Sequence, residues 1–271
     1  MIEKVDIGDL YGAEAHEQWA GQRTMEHASG IWGREPMLRY LEENIVKDGD
    51  VVVDLGAGGG YPSVRVAKMV GEEGHVVGIE LNANQLGLEG NNVVSLKKKY
   101  KDASNLDFVQ GNLKNIPLQE GSADHAVSFM VLHNLEIASV KSVLKETQRI
   151  LKKNGTAVFL TLHPDFLNAD WDMNFMKYEE EDLKMFRESG KMEDYVIRGI
   201  VKNVGGGEKK VVAVYHSWES IMQAIKESGL TLIGEADLRI DAETVDKTFG
   251  KDSYRKLPDY PAFWMITLQK K

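Results

Sequence analysis

The stretch VVVDLGAGGGYPSVRVAKMV, beginning at Val51, limits the fold more than any other part of the chain. Four apolar positions and an aspartate run into four glycines within six residues, and a helical pattern follows. A strand can enter a helix through an ordinary turn with a single glycine. A backbone as bare as this one suits a ligand lying against the main chain, at the amino end of the helix that begins at Pro62.

The rest of the chain repeats the strand–helix rhythm. HVVGIE, NLDFVQ, DHAVSFMV and TAVFLTL read as further strands, and Glu136 to Leu151 reads as a helix closed by Lys152, Lys153 and Gly155. Asn82 with Gln85 forms a variant capping box for a helix towards Tyr100. Alternation of this kind predicts an α/β fold, a doubly wound, Rossmann-like, mostly parallel sheet covered on both faces. After Leu162 the rhythm breaks. YVIRGIVKNV and KKVVAVYH flank GGGE and predict an inserted β-hairpin, a lid over the site. A helix from Trp218 to Ser228 and the strands LTLIGEADLRI and AFWMITLQ complete a seven-stranded sheet. No helix-length segment clearly joins those last two strands, so the C-terminal strand is expected to be antiparallel. The expected division is 1–48 as an N-terminal helical cap, broken at GIWGREP, and 49–162 as the ligand-binding core. Residues 163–216 form the insert, and 217–271 the C-terminal part of the sheet.

Bulk properties exclude several classes. The chain of 271 residues has no cysteine, which removes disulfides, thiolate metal sites and cysteine nucleophiles. A formal net charge of −9 argues against nucleic acid held by the overall field, and KKKYK at Lys97–Lys101 reads as the solvated end of a helix. There is no signal-peptide run and no apolar run of membrane-spanning length, so a cytoplasmic protein without a membrane partner is expected.

In such a sheet ligands bind outside the carboxyl ends of the strands. Gly56, Gly58 and Gly60 admit a ligand to the backbone, and Glu80, ending the second strand, suits ribose hydroxyls. Asp54, with one residue between it and the glycines, would repel a pyrophosphate but suits a ligand carrying an ammonium and a sulfonium. That argument favours S-adenosylmethionine over NAD. VVDLGAGGG followed by GIELN also resembles the cofactor loop of the class I S-adenosylmethionine-dependent methyltransferases. FVQGNLKNIPLQEGSADHAVSFMVLHNLE and ETQRILKKNGTAVFLTLHP are similar to their later motifs, in order.

The resemblance implies that Asp54, Gly56, Ala57 and Gly58 line the methionine and ribose part of the cofactor, with Glu80 on the ribose hydroxyls and Leu81 on the adenine. It places Gly111, Asn112 and Leu113 at the adenine edge, and Phe129 and Met130 near the sulfonium. The family pattern has aspartate where Asn112 stands; an amide can still read adenine by accepting from its amino group and donating to a ring nitrogen. The implied function is methyl transfer to a small-molecule acceptor, and the tyrosine and histidine of YHSWESIMQAIKESGLTLIGE border the substrate in that branch of the family.

Methyl transfer is an in-line displacement driven largely by alignment. An acceptor that must lose a proton calls for a base, and His133, His163 and His216 follow strand ends where a catalytic base could stand, though each also fits a structural role. Trp19, Trp32, Arg34, Trp171, Tyr178 and Tyr215, with Tyr11 and Phe175, could line an acceptor pocket or pack as core. His163-Pro-Asp165 with His216 has the order of a two-histidine, one-carboxylate iron site, but that site belongs to another scaffold and no metal is expected. An NAD-dependent oxidoreductase, a module that binds S-adenosylmethionine without turnover, and a protein or RNA substrate remain the alternatives. Oligomeric state stays open, a homo-oligomer included.

Overall fold

The computed structural model describes residues 30–87, 95–168, 171–202 and 208–271. A five-residue π-helical turn, Gly30–Arg34, runs straight into helix α1 (Glu35–Asn44). The break expected at GIWGREP is absent there because Pro36 falls in the first turn of α1, where no N–H is needed. Strand β1 (Val51–Leu55), helix α2 (Tyr61–Met69) and strand β2 (His75–Glu80) follow as read from the sequence.

The helix expected to run towards Tyr100 is not continuous. Helix α3 (Ala83–Leu86) stops at Gly87, which adopts the left-handed conformation, and helix α4 (Leu96–Lys99) starts anew on Ser95. Asn82 does cap α3, its side-chain oxygen accepting from the N–H groups of Asn84 and Gln85. The reciprocal half of the box is taken by Glu80, whose carboxylate accepts the Asn82 N–H at 3.1 Å.

Strands β3 (Leu106–Gln110) and β4 (Ala123–Phe129), helix α5 (Ile137–Ile150) and strand β5 (Leu151–Leu162) complete the parallel part. The expected polar end of α5 is already strand, since Leu151 is extended and Lys152–Gly155 continue β5. The insert holds β6 (Asp172–Met173), β7 (Met176–Tyr178), helix α6 (Glu180–Glu188) and the expected hairpin β8 (Val196–Lys202) and β9 (Glu208–Val214). Helix α7 (Trp218–Ser228) leads into β10 (Leu230–Leu238). Helix α8 (Ala242–Phe249) and β11 (Tyr254–Lys256) then precede β12 (Phe263–Lys270).

The main sheet has seven strands in the order β10-β12-β5-β4-β1-β2-β3, with β12 antiparallel to both neighbours. The expected antiparallel end is present, but a helix does intervene. Instead of crossing the sheet, α8 and β11 carry the chain out to a second, five-stranded antiparallel sheet, β11-β6-β7-β8-β9. The inserted hairpin is therefore half of a larger layer.

Period-two alternation sorts the core into two faces. Val52, Val158 and Leu160 face α1 and α2, through Met37, Leu38, Leu41 and Val66. Val53, Phe159 and Trp264 face α5 and α7, through Val140, Leu144, Ile221 and Ile225. The second sheet packs into the first of these clusters, through Met173, Tyr178, Ile197 and Ala213. Helix α6 is tied to it by Asp182, 4% exposed, which accepts from the Arg198 guanidinium and from the Arg198 N–H at 2.8 Å. Loss of that pair should loosen the insert before the main sheet. Asp182→Ala is expected to cost about 2 kcal/mol in urea denaturation, and hydrogen exchange should quicken at β8 and β9 while β1 and β4 stay protected.

Candidate active site

The loop after β1 is shaped by contacts on both sides. The N–H groups of Gly56 and Ala57 both donate to the Ile79 carbonyl at 2.9 Å, and the Gly58 N–H donates to Glu80 Oε2 at 2.8 Å. Gly56 and Gly60 have φ of +83° and +75°, so a side chain at either would strain the backbone. It would also collide. A Cβ on Gly56 would lie 2.5 Å from Val131 Cγ2, and one on Gly60 would lie 2.7 Å from the Phe108 and Tyr100 rings. Part of the bareness thus serves the chain's own side chains. Tyr100 adds a hydroxyl donated to the Gly59 carbonyl at 3.0 Å.

Beneath this loop lies Asp54, 1% exposed. Its Oδ2 accepts the Ser63 hydroxyl at 2.6 Å, while Oδ1 is buried with no hydrogen-bond partner. Burial pushes the Asp54 pKa up to about 7; the Ser63 hydrogen bond pulls it down, the nearby Glu80 charge raises it and the Arg34 charge lowers it. A buried carboxylate oxygen without a donor, under a glycine loop, suits a cationic ligand group. Arg34, read from the sequence as part of an acceptor pocket, is buried at the end of the π-helical turn, close enough for its charge to favour ionised Asp54.

At the far side of the loop, both Glu80 oxygens already accept a backbone N–H, and each keeps a second lone pair for a ligand hydroxyl. Leu81 is 62% exposed, an apolar surface beside that carboxylate. The Gly111 N–H donates to the Glu80 carbonyl at 3.0 Å, and a Cβ on Gly111 would lie 2.9 Å from Pro117. Asn112 Oδ1 accepts the Lys114 N–H at 2.9 Å, which turns its NH2 into the more available half of the amide. Leu113 packs, partly buried, on the α5 side of the core.

The end of β4 forms the opposite wall. Phe129 is buried, and Met130 takes φ of +64°, an uncommon conformation for a long side chain. It is held there by its N–H on the Leu160 carbonyl at 2.8 Å and by Asn134 Nδ2 donating to its carbonyl at 3.0 Å. Strain of this kind persists where neighbours over-determine the backbone.

The histidines are dispersed. His133 is buried in the one-turn helix Leu132–Asn134, on the same segment as Met130 and Val131. His163 turns towards the sheet edge: Nδ1 accepts the Asp165 N–H at 3.1 Å, Nε2 is 3.5 Å from Asp237, and the ring packs on Trp218. Burial lowers its pKa, against the opposing pull of Asp237 and Asp165. His216 lies between the Leu135 carbonyl, 2.7 Å from Nε2, and Glu193, 3.2 Å from Nδ1. The iron-type set of His163, Asp165 and His216 is therefore not brought together.

The aromatic residues pack mainly on one another. Trp32 stacks with Phe175 and Phe249 and donates its indole N–H to Asp241 at 2.9 Å. Trp171 stacks on Phe166 and meets Tyr178 edge-on. Tyr215 packs on Phe186. Burial raises the pKa of Tyr178 and of Tyr215. Tyr11 and Trp19 lie outside the described residues. Ser63, Tyr100, Val131 and Asn134 were not singled out from sequence; only Ser63, in the first turn after the glycines, carries a local signal, because the others reach the site through tertiary contacts.

Residues 53–159 match a methyltransferase domain model. A demethylmenaquinone methyltransferase of Staphylococcus saprophyticus is 30% identical over 122 residues, 45% of this chain and 48% of the relative. A sterol 24-C-methyltransferase of Gibberella zeae is 28% identical over 200 residues, 73% of this chain and 44% of the relative. The chain thus spans about half the length of these two curated relatives. Among solved structures, the [4+2]-cyclase SpnF superposes with a TM-score of 0.60 at 13% identity, covering 97% of this chain and 95% of its own. No helix among the described residues is long and apolar enough to cross a membrane. Its glycine loop and acidic strand ends lie within a segment similar to a methyltransferase domain, and its seven-stranded sheet has the fold of solved S-adenosylmethionine-dependent methyltransferases.

Proposed function

We propose that this chain transfers a methyl group from S-adenosylmethionine to a small-molecule acceptor in the cytoplasm. The observation that carries the reading is Asp54 Oδ1, buried without a donor beneath the glycine loop. When bound, S-adenosylmethionine supplies a methyl group made electrophilic by a sulfonium.

The chain's own residues would do the rest by holding and aligning. Asp54 takes the ammonium, and buried Arg34 is suited to the carboxylate at the same end of the ligand. Glu80 accepts from ribose hydroxyls, Leu81 covers the adenine, and the Asn112 amide donates to its edge, beside Gly111 and Leu113. Phe129 and Met130 wall the methyl end and keep water from it. Of the three histidines, His133 shares the segment that forms this wall, so it is the one placed to take a proton from an acceptor. His163 is committed to Asp165, Asp237 and Trp218, and His216 to Leu135 and Glu193. The matched relatives are named for demethylmenaquinone and a sterol, which supports a small-molecule acceptor. SpnF, named a [4+2]-cyclase, shares the fold, and the one other reading is this fold put to a reaction other than methyl transfer.

Binding should carry the signature of Asp54. Ionised Asp54 is the form that holds an ammonium, and an α-amino group loses its charge at about pH 8, so affinity for S-adenosylmethionine should be greatest between about pH 7 and 8. It should weaken as pH falls through about 7, approaching tenfold per unit on the acid side. Calorimetric titration from pH 5.5 to 8.5 reads this directly, and a pH-independent affinity would remove Asp54 from the ammonium site. Asp54→Asn should bind about ten- to a hundredfold more weakly at pH 8 and lose the acid-side pH dependence.

Methyl transfer itself is tested by release of S-adenosylhomocysteine in the presence of candidate acceptors. His133→Ala should lower kcat by about a hundredfold and leave cofactor affinity unchanged if the acceptor must lose a proton. Tight cofactor binding without S-adenosylhomocysteine across quinol, sterol and amine acceptors would favour the other reading.

A further inference from the structure

Away from the glycine loop, three side chains that the cofactor reading does not use converge. Glu193 and Asp194 lie on the link between α6 and β8, and His216 lies between β9 and α7. His216 Nδ1 is 3.2 Å from Glu193 Oε1 and 3.6 Å from Asp194 Oδ1, and donor atoms of all three lie within 4.8 Å of one another. Among the described residues this is the one such group. We propose that Glu193, Asp194 and His216 form a binding site for one divalent transition-metal ion of the zinc class, which fastens the inserted sheet to the rim of the active site.

Four features carry it. A tetrahedral ion with bonds of about 2.0–2.1 Å to nitrogen and oxygen sets its donors about 3.3–3.4 Å apart, and the two measured edges lie on either side of that spacing. The set of one imidazole and two carboxylates matches a zinc-type ion rather than magnesium or calcium, which prefer oxygen alone.

The outer shell is already built. His216 donates its other ring N–H to the Leu135 carbonyl at 2.7 Å, the arrangement that fixes a metal-binding tautomer. Glu193 is oriented by the Ser217 N–H at 3.1 Å and the Ser220 hydroxyl at 2.9 Å, and Asp194 by the Ile137 N–H at 2.6 Å. Finally, the site is reachable. The His216 side chain is 4% exposed, but those of Glu193 and Asp194 are 28% and 34% exposed, which leaves an entry path and room for a water as fourth ligand.

The placement gives the ion a purpose. Leu135 and Ile137 follow His133 by two and four residues, so the site joins the insert to the segment that walls the methyl end. Sequence spacing hides it, because two ligands precede the hairpin and the third follows it.

The test is titration of the metal-free full chain with zinc at pH 7.5, followed by calorimetry, and with cobalt, followed by visible absorption. One equivalent of zinc should bind with micromolar or tighter affinity and raise Tm, and cobalt should give the intense bands of a four-coordinate ion. Glu193→Gln and Asp194→Asn keep an acceptor oxygen for the hydrogen bonds that they receive, so both should fold. Each should weaken zinc binding by about tenfold or more, and His216→Gln by at least as much. Absence of binding at submillimolar zinc would overturn the proposal and leave the cluster as a hydrogen-bonded clasp between the insert and α7. Binding unaltered in the variants would overturn it as well, by placing the ion elsewhere.

Discussion

Two backbone N–H groups, those of Gly56 and Ala57, converge on the one carbonyl of Ile79, and the next N–H, from Gly58, reaches the carboxylate of Glu80. This seam joins the ends of β1 and β2 beyond the last ladder hydrogen bonds of the sheet. It turns the loop inward, so that α2 starts over the strand ends and Asp54 is sealed beneath. Val131 closes the seam from β4, and Phe108 and Tyr100 close it from the β3 side. A strand end, a loop and a helix start are thereby held as one rigid edge. Catalysis by alignment needs such an edge, because an acceptor misplaced by an ångström forfeits much of the acceleration.

Several local rules are broken around this edge. An aspartate is buried with an unsatisfied oxygen, a methionine is held at positive φ, and an arginine is buried at the end of a π-helical turn. Each runs against what burial or backbone sterics favour. The core of the sheet shows no comparable departures: Val52, Val53, Val158 and Phe159 alternate between faces as a pleated strand requires. Three such conflicts meeting at one strand edge are what a functional site leads one to expect.

Legibility in the sequence followed how local the determining physics was. β1, β2 and α7 were readable to the residue because apolar period, glycine and serine caps all agree within a few positions. The residues that build the loop were readable too, since Asp54, the glycines and Glu80 lie within one βαβ unit. The second sheet was only half readable. Its hairpin declares itself by alternation, whereas β6, β7 and β11 are two or three residues long and exist through partners distant in sequence. Ala242–Phe249 escaped because an eight-residue helix between two strands suggests no crossover, and here it makes none. Arg34 could be seen as a site residue, but its proximity to Asp54 depends on how the turn before α1 packs. Trp32, Trp171 and Tyr215 had pocket-like identities and prove to be packed in aromatic clusters, a distinction that spacing cannot make.

On the proposed reading, the electrostatics of Asp54 also tie cofactor binding to the stability of the fold. Its pKa is raised on folding, to about 7 from the 3.8 of an exposed carboxyl, so the folded chain binds this proton more tightly than the unfolded one. The associated stabilisation is fully present below the unfolded value and is lost as pH rises through the folded value. Near neutral pH the ligand-free fold therefore carries part of the desolvation penalty of a buried carboxylate. A ligand ammonium seated on Oδ1 reverses the balance, because it restores to the ionised carboxylate the partner that burial removed. Binding and folding then favour the same protonation state only when the cofactor is present. The stability gained on loading then follows the affinity at each pH, so it shrinks as pH falls below about 7. On that reading, the charge that receives the ligand's cation also makes the loaded form the better folded one.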